Sequence, residues 1–183
     1  MFLKTLVAAI SMFGIVAQTV PTIETERYLG RWYQAYSDLF VDSTFENSSY
    51  CVTADYGLYS NKTISVENRE RVGGVTGPVR RILGWANTQN ASNPGELTVH
   101  LQTTLFPAPY WIYELGPATY NGSLYEYSVV SDPYKLTLFV LARNLTFFAE
   151  TWEDGVLHRL FDLGFTNFLN EPRKTIQENC SYW

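Results

Sequence analysis

The sequence predicts an all-β fold, an eight-stranded antiparallel up-and-down β-barrel with one C-terminal α-helix packed on its wall. Three observations carry this. Short segments rich in Tyr, Val, Thr, Trp and Phe recur between turn-forming residues. Their apolar residues alternate with polar ones, the pattern of antiparallel strands with one solvated face. One stretch near the C-terminus changes to helical spacing. A length of 183 residues fits a single domain. Periodicity alone leaves a β-sandwich open, because two packed sheets bury the same alternation.

Residues 1–17 read as a secretory signal peptide, and 18–183 as the folded domain. Lys4 is the only charge among the first 23 residues, and Leu6 to Val16 is apolar apart from Ser11 and Gly14. A membrane anchor needs roughly 20 apolar residues, so this run is too short. Without the signal, 12 basic and 18 acidic residues remain, a formal charge of −6. That balance argues against nucleic acid and anionic membranes as partners. No hydrophobic tail precedes Trp183, so no integral membrane segment is expected in the mature chain.

Eight strands are expected over 31–39, 50–59, 63–72, 79–87, 96–102, 110–115, 124–130 and 136–143. Ser60-Asn61, Gly73-Gly74, Asn93-Pro94-Gly95, Asn121-Gly122 and Asp132-Pro133 mark turns between them. In the second strand Val52, Ala54, Tyr56 and Leu58 share a face. In the third, Ile64, Val66, Asn68, Glu70 and Val72 do, and in the fifth Leu97, Val99 and Leu101. Joined by short turns, such strands suggest a barrel whose interior can hold one small ligand. A helix then starts with Thr146 as its cap, shows Ala149, Trp152, Val156, Leu160 and Leu163 on one face, and ends at Gly164.

Cys51 and Cys180 are the only cysteines, and in an oxidising compartment one structural disulfide is the expected use. With His100 and His158 far apart in sequence they make no metal cluster. Six Asn-x-Ser/Thr sequons, at Asn47, Asn61, Asn90, Asn121, Asn144 and Asn179, support secretion and N-glycosylation. Asn179 is the poorest acceptor, since Cys180 is its middle residue.

Further runs resemble a known family. Gly30-Arg31-Trp32-Tyr33 resembles the Gly-x-Trp signature of lipocalins. Cys51-Val52-Thr53-Ala54-Asp55-Tyr56 followed by Ile64-Ser65-Val66-Glu67-Asn68 resembles a hairpin of the apolipoprotein D and bacterial outer-membrane lipocalin group. Ala108-Pro109-Tyr110-Trp111-Ile112 and Tyr125-Glu126-Tyr127-Ser128-Val129-Val130 are similar to two more of its strands. Phe139-Val140-Leu141-Ala142-Arg143-Asn144 resembles the arginine-centred signature, and Gln177-Glu178-Asn179-Cys180 the C-terminal cysteine. Gly116-Pro117 departs from the group, which often has an acidic residue there. The resemblance implies that Arg143 packs over Trp32 and closes one end of the barrel, where an up-and-down order also places both residues. The same order puts Asn61, Asn90, Asn121 and Asn144 at that end and Asn47 at the mouth.

No Gly-x-Ser-x-Gly elbow, His-x-x-x-His pair or phosphate loop is present, so no catalytic residue, cofactor or metal is expected. The expected function is reversible binding of a small hydrophobic or amphipathic molecule, such as a fatty acid or sterol-like lipid. Tyr56, Leu97, Val99, Leu101, Tyr110, Ile112 and Phe139 would form the wall, with Asn68 and Glu70 orienting the ligand. The resemblance implies the same for Tyr56, Asn68, Glu70, Tyr110 and Phe139. The cavity is expected to be apolar at the closed end and polar toward the mouth, with the Glu70 charge partly solvated. Two other classes remain: a secreted interaction module with a filled barrel, using the 40–49 segment on a receptor or other protein, and an enzyme using Glu70.

Overall fold

The computed structural model describes residues 18–60, 63–88 and 90–183. The segment read as a signal peptide lies outside them. Eight strands form a closed antiparallel barrel: β1 (Gly30–Ser37), β2 (Ser49–Leu58), β3 (Ile64–Val72), β4 (Val79–Thr88), β5 (Glu96–Leu101), β6 (Ala108–Leu115), β7 (Tyr127–Ser131) and β8 (Leu138–Ala142). Each pairs with its sequence neighbour, and β1 closes the ring by pairing with β8 as well as with β2. This settles barrel against sandwich.

The β1–β2 pairing runs only from Gly30↔Tyr56 to Tyr33↔Thr53. Beyond it the strands part, and a short β9 (Arg173–Lys174) pairs with β1 at Tyr36 and Ser37. The chain then reaches β2, where Cys51 N–H donates to the Ile176 carbonyl at 3.0 Å. The Cys51–Cys180 disulfide fixes this segment across a separation of 129 residues. The expected cross-link is thus present, and it holds the C-terminal segment where β1 and β2 part.

The C-terminal helix differs from expectation. It is broken into α3 (Leu145–Thr151) and α4 (Glu153–Leu163), with the backbone turning at Trp152; the shorter α1 and α2 lie earlier and are described below. The cap is Asn144, whose side chain accepts from Phe147 N–H at 3.0 Å, two residues before the expected Thr146. The break at Trp152 puts α3 out of phase with the packed face of α4, so Phe148 is buried and Ala149 exposed. Val156, Leu160 and Leu163 pack on the barrel as expected, and Gly164 ends α4 in the left-handed region at φ 92°. These side chains cover Val129, Leu138 and Val140 on the outer face of β7 and β8. Val130, Phe139 and Leu141, one residue out of phase, face the interior cluster.

The other differences lie in the connections. α1 (Thr25–Tyr28) precedes β1, and α2 (Leu39–Thr44) occupies part of the long 40–49 segment. β7 begins at Tyr127 rather than at residue 124. Before it, Glu126 is held by the Pro117 carbonyl on its N–H at 3.0 Å and by Thr119 Oγ1 on its carboxylate at 2.6 Å. At Gly116 an added Cβ would lie 2.5 Å from the Tyr127 ring, which accounts for a glycine where the resembling group often carries an acid.

Candidate ligand cavity

Trp32 and Arg143 form the floor. Trp32 is fully buried, and its indole N–H donates to the Tyr28 carbonyl at 2.8 Å. The Arg143 guanidinium stacks 3.7 Å from the indole centroid. Its N–H groups donate to the backbone carbonyls of Arg31 at 2.7 Å, Leu29 at 2.7 Å, Tyr28 at 3.1 Å, Arg27 at 3.2 Å and Tyr125 at 3.3 Å. One planar cation therefore ties the entry of β1 to the exit of β8. Burial lowers its pKa to about 10, still far above neutrality, so it stays charged. Gly30 is required here: φ is +91°, and a Cβ would sit 3.3 Å from Arg143 Nη1. Val20 and Ile23, ahead of α1, pack against the same interior cluster.

Above the floor, Tyr56 (β2), Leu97 (β5) and Ile112 (β6) are buried in the interior cluster. Val99, Leu101, Tyr110 and Phe139 face the same interior but are only half-buried. All seven expected wall residues are thus brought together. On β3, Asn68 is half-buried and its Oδ1 has no hydrogen-bond partner among the described residues.

The polar groups are arranged differently from the expectation. The lower interior is not purely apolar. Tyr56 and Tyr110 hydroxyls are 2.9 Å apart, Tyr110 and Tyr28 2.8 Å, and Tyr28 and Ser128 3.0 Å. Tyrosine counts as an apolar residue in a periodicity reading, so its hydroxyls escape notice. Nor is Glu70 partly solvated: it is buried and ion-paired with Arg80 of β4, which also donates to Ser49 Oγ at 3.2 Å. The adjacent strand supplies the partner that a buried carboxylate requires.

Sequence reasoning missed Glu46, which follows α2. Its Oε2 accepts from the buried Gln34 side chain at 2.6 Å. Burial pushes its carboxyl up to about 8, and neighbouring Glu70 and Asp42 add to the shift. Asp38 caps α2 by accepting from Val41 N–H at 2.8 Å. Burial raises it to about 7. Both lie in the segment after the mouth end of β1, where no alternating pattern signals burial.

Residues 23–172 match the lipocalin-like domain family. The chain belongs to the lipocalins. It is 35% identical to apolipoprotein D of Rattus norvegicus over 125 residues, covering 66% of this chain and 61% of that protein. Against apolipoprotein D of Bos taurus it is 33% identical over 160 residues, covering 86% and 78%. The chain thus spans less than two thirds of the rodent proteins in these alignments. Among solved structures, a biogenic amine-binding protein superposes with a TM-score of 0.63 at 17% identity, covering 91% of this chain and 89% of that one. Japanin from Rhipicephalus appendiculatus bound to cholesterol gives 0.55 at 15%, covering 88% and 98%. At these identities the structures bear on the fold alone.

Proposed function

We propose that this lipocalin is a secreted, N-glycosylated carrier, not an enzyme, that reversibly holds one small hydrophobic or amphipathic molecule inside the barrel. The observation that carries the reading is a contrast in packing. Leu138 and Val140, under the helix, have no exposed surface, whereas Val99, Leu101, Tyr110 and Phe139 keep accessible surface although they face inward. An inward face that stays partly accessible is room for a guest, whose apolar surface would contribute roughly 25 cal/mol per Å² buried. Cholesterol in Japanin and amines in the amine-binding protein are guests of the same architecture. Organic extraction of the purified protein followed by mass spectrometry is expected to recover a lipid in near-stoichiometric amount. Phe139→Ala should weaken binding of a sterol-like or fatty-acid probe about tenfold, the equivalent of about 1.4 kcal/mol. Recovery of no lipid, with no probe bound, would remove the carrier reading.

Secretion and glycosylation draw support from the disulfide and from the sequons. Asn47, Asn90, Asn121, Asn144 and Asn179 are all exposed, and Asn61 lies outside the described residues. Expression through a secretory pathway should give a product that loses mass on glycosidase treatment. A second reading, a loop-borne protein interaction, is favoured by the exposed Leu105, Phe106 and Tyr134 on the β5–β6 and β7–β8 loops. It predicts that a receptor or other partner is bound equally by lipid-free and lipid-loaded protein.

A further inference from the structure

The tyrosine hydroxyls in the lower interior form a chain with a countable imbalance. Tyr56, Tyr110, Tyr28 and Ser128 bring four hydroxyl protons to three contacts. Each contact uses one proton, so one proton finds no acceptor within the chain. Tyr28, Tyr56 and Ser128 are buried, and Tyr110 alone is half-buried. Tyr110 also stands between two other phenols, and its oxygen has two lone pairs. If Tyr56 and Tyr28 both donate to it, with Ser128 donating to Tyr28, the spare proton is the one on Tyr110. Two donations onto one oxygen polarise its own O–H and make it a stronger donor.

We propose that Tyr110 is the polar anchor of the cavity, and that it takes the uncharged oxygen head of a lipid, a hydroxyl or a carbonyl, inserted toward the closed end. The proposal rests on the carrier reading and adds the head chemistry and its direction. Either head offers an acceptor for the spare proton. A carboxylate would also accept it, but its charge would be buried without a matched cation. The cation whose charge reaches Tyr28 and Tyr56 is Arg143, and its N–H groups already face backbone carbonyls on the floor. The same desolvation holds the phenols neutral: Tyr28 is pushed up to about 12, Tyr56 higher still, and Tyr110 well above the ordinary phenol value. A site that resists ionising its own hydroxyls resists an anionic guest for the same reason.

Retinol, retinal and retinoate share one apolar skeleton and differ in the head, so they separate these contributions by tryptophan-fluorescence titration at neutral pH. Retinol and retinal are expected to bind, and retinoate at least about tenfold more weakly. Tyr110→Phe, with its fold checked by near-UV circular dichroism, should weaken retinol and retinal about fivefold and leave retinoate within about twofold. Tyr56→Phe removes one donation onto Tyr110 and should act in the same direction, less strongly. Retinoate binding tightest, or Tyr110→Phe leaving all three unchanged, would overturn the anchor while leaving a carrier. No binding of any retinoid, together with no lipid in the extract, would overturn both.

Discussion

The two ends of the barrel interior are built from different chemistry. At the closed end the polar groups are neutral hydroxyls and one cation satisfied by backbone carbonyls. Their shifted pKa values all lie well away from neutrality. At the mouth they are carboxylates: Glu70 is ion-paired with Arg80, and Asp38 and Glu46 sit near 7 and 8. The floor is therefore a fixed structure over the physiological pH range, and the mouth is where charge changes. An end that must hold the barrel shut is built from groups that do not titrate. An end that admits a guest can tolerate groups that do.

The largest effect should come from the floor. Trp32→Ala removes the indole under Arg143 and is expected to destabilise the protein by about 3–5 kcal/mol, measured from denaturant midpoints. A variant that melted like the parent would show that closure does not depend on this pair. Replacing Cys51 and Cys180 together by Ala should cost about 2–5 kcal/mol, because the link closes so long a loop. Equal stability with and without reductant would contradict that.

The mouth should reveal itself through pH. For Glu46 and Asp38 the folded pKa lies above the ordinary carboxylate value, so the fold favours the protonated form. Their contribution is complete below about pH 4 and is lost as pH rises toward 7 and 8. Urea midpoints should fall between pH 5 and pH 8, and Glu46→Gln should flatten part of that slope. A midpoint that rose over this interval would show that these groups are not held neutral. The smallest effect is expected at Glu70→Gln, within about 1 kcal/mol, since the Arg80 it leaves behind remains partly in solvent. A larger loss would mean that the pair holds β3 to β4.

Much of this was legible beforehand, for identifiable reasons. Alternation placed Val99, Leu101 and Tyr110 on the inner face, because in a strand a residue's face depends only on its neighbours. Strand order placed Trp32 and Arg143 at one end, and the resemblance implied the contact that the structure shows. The helix break at Trp152 was hidden, since apolar spacing continues through it. The hydroxyl chain was hidden for a different reason. Its contacts join residues 54, 82 and 100 apart, and no local pattern encodes which tyrosines meet. The α2 segment carries no alternation, so the burial of Asp38 and the shift at Glu46 had no signal.

The seam between β1 and β2 sets an order of events. The first strand finds its partner at Ala142 and the edge of its gap at Lys174, and the cross-link waits for Cys180. During synthesis, the early strands can pair as hairpins while the ring stays open for most of the chain's emergence. Such long-range closure makes for slow folding. A nascent chain arrested at residue 130 would carry most of the barrel's hairpins, with Trp32 still lacking its guanidinium.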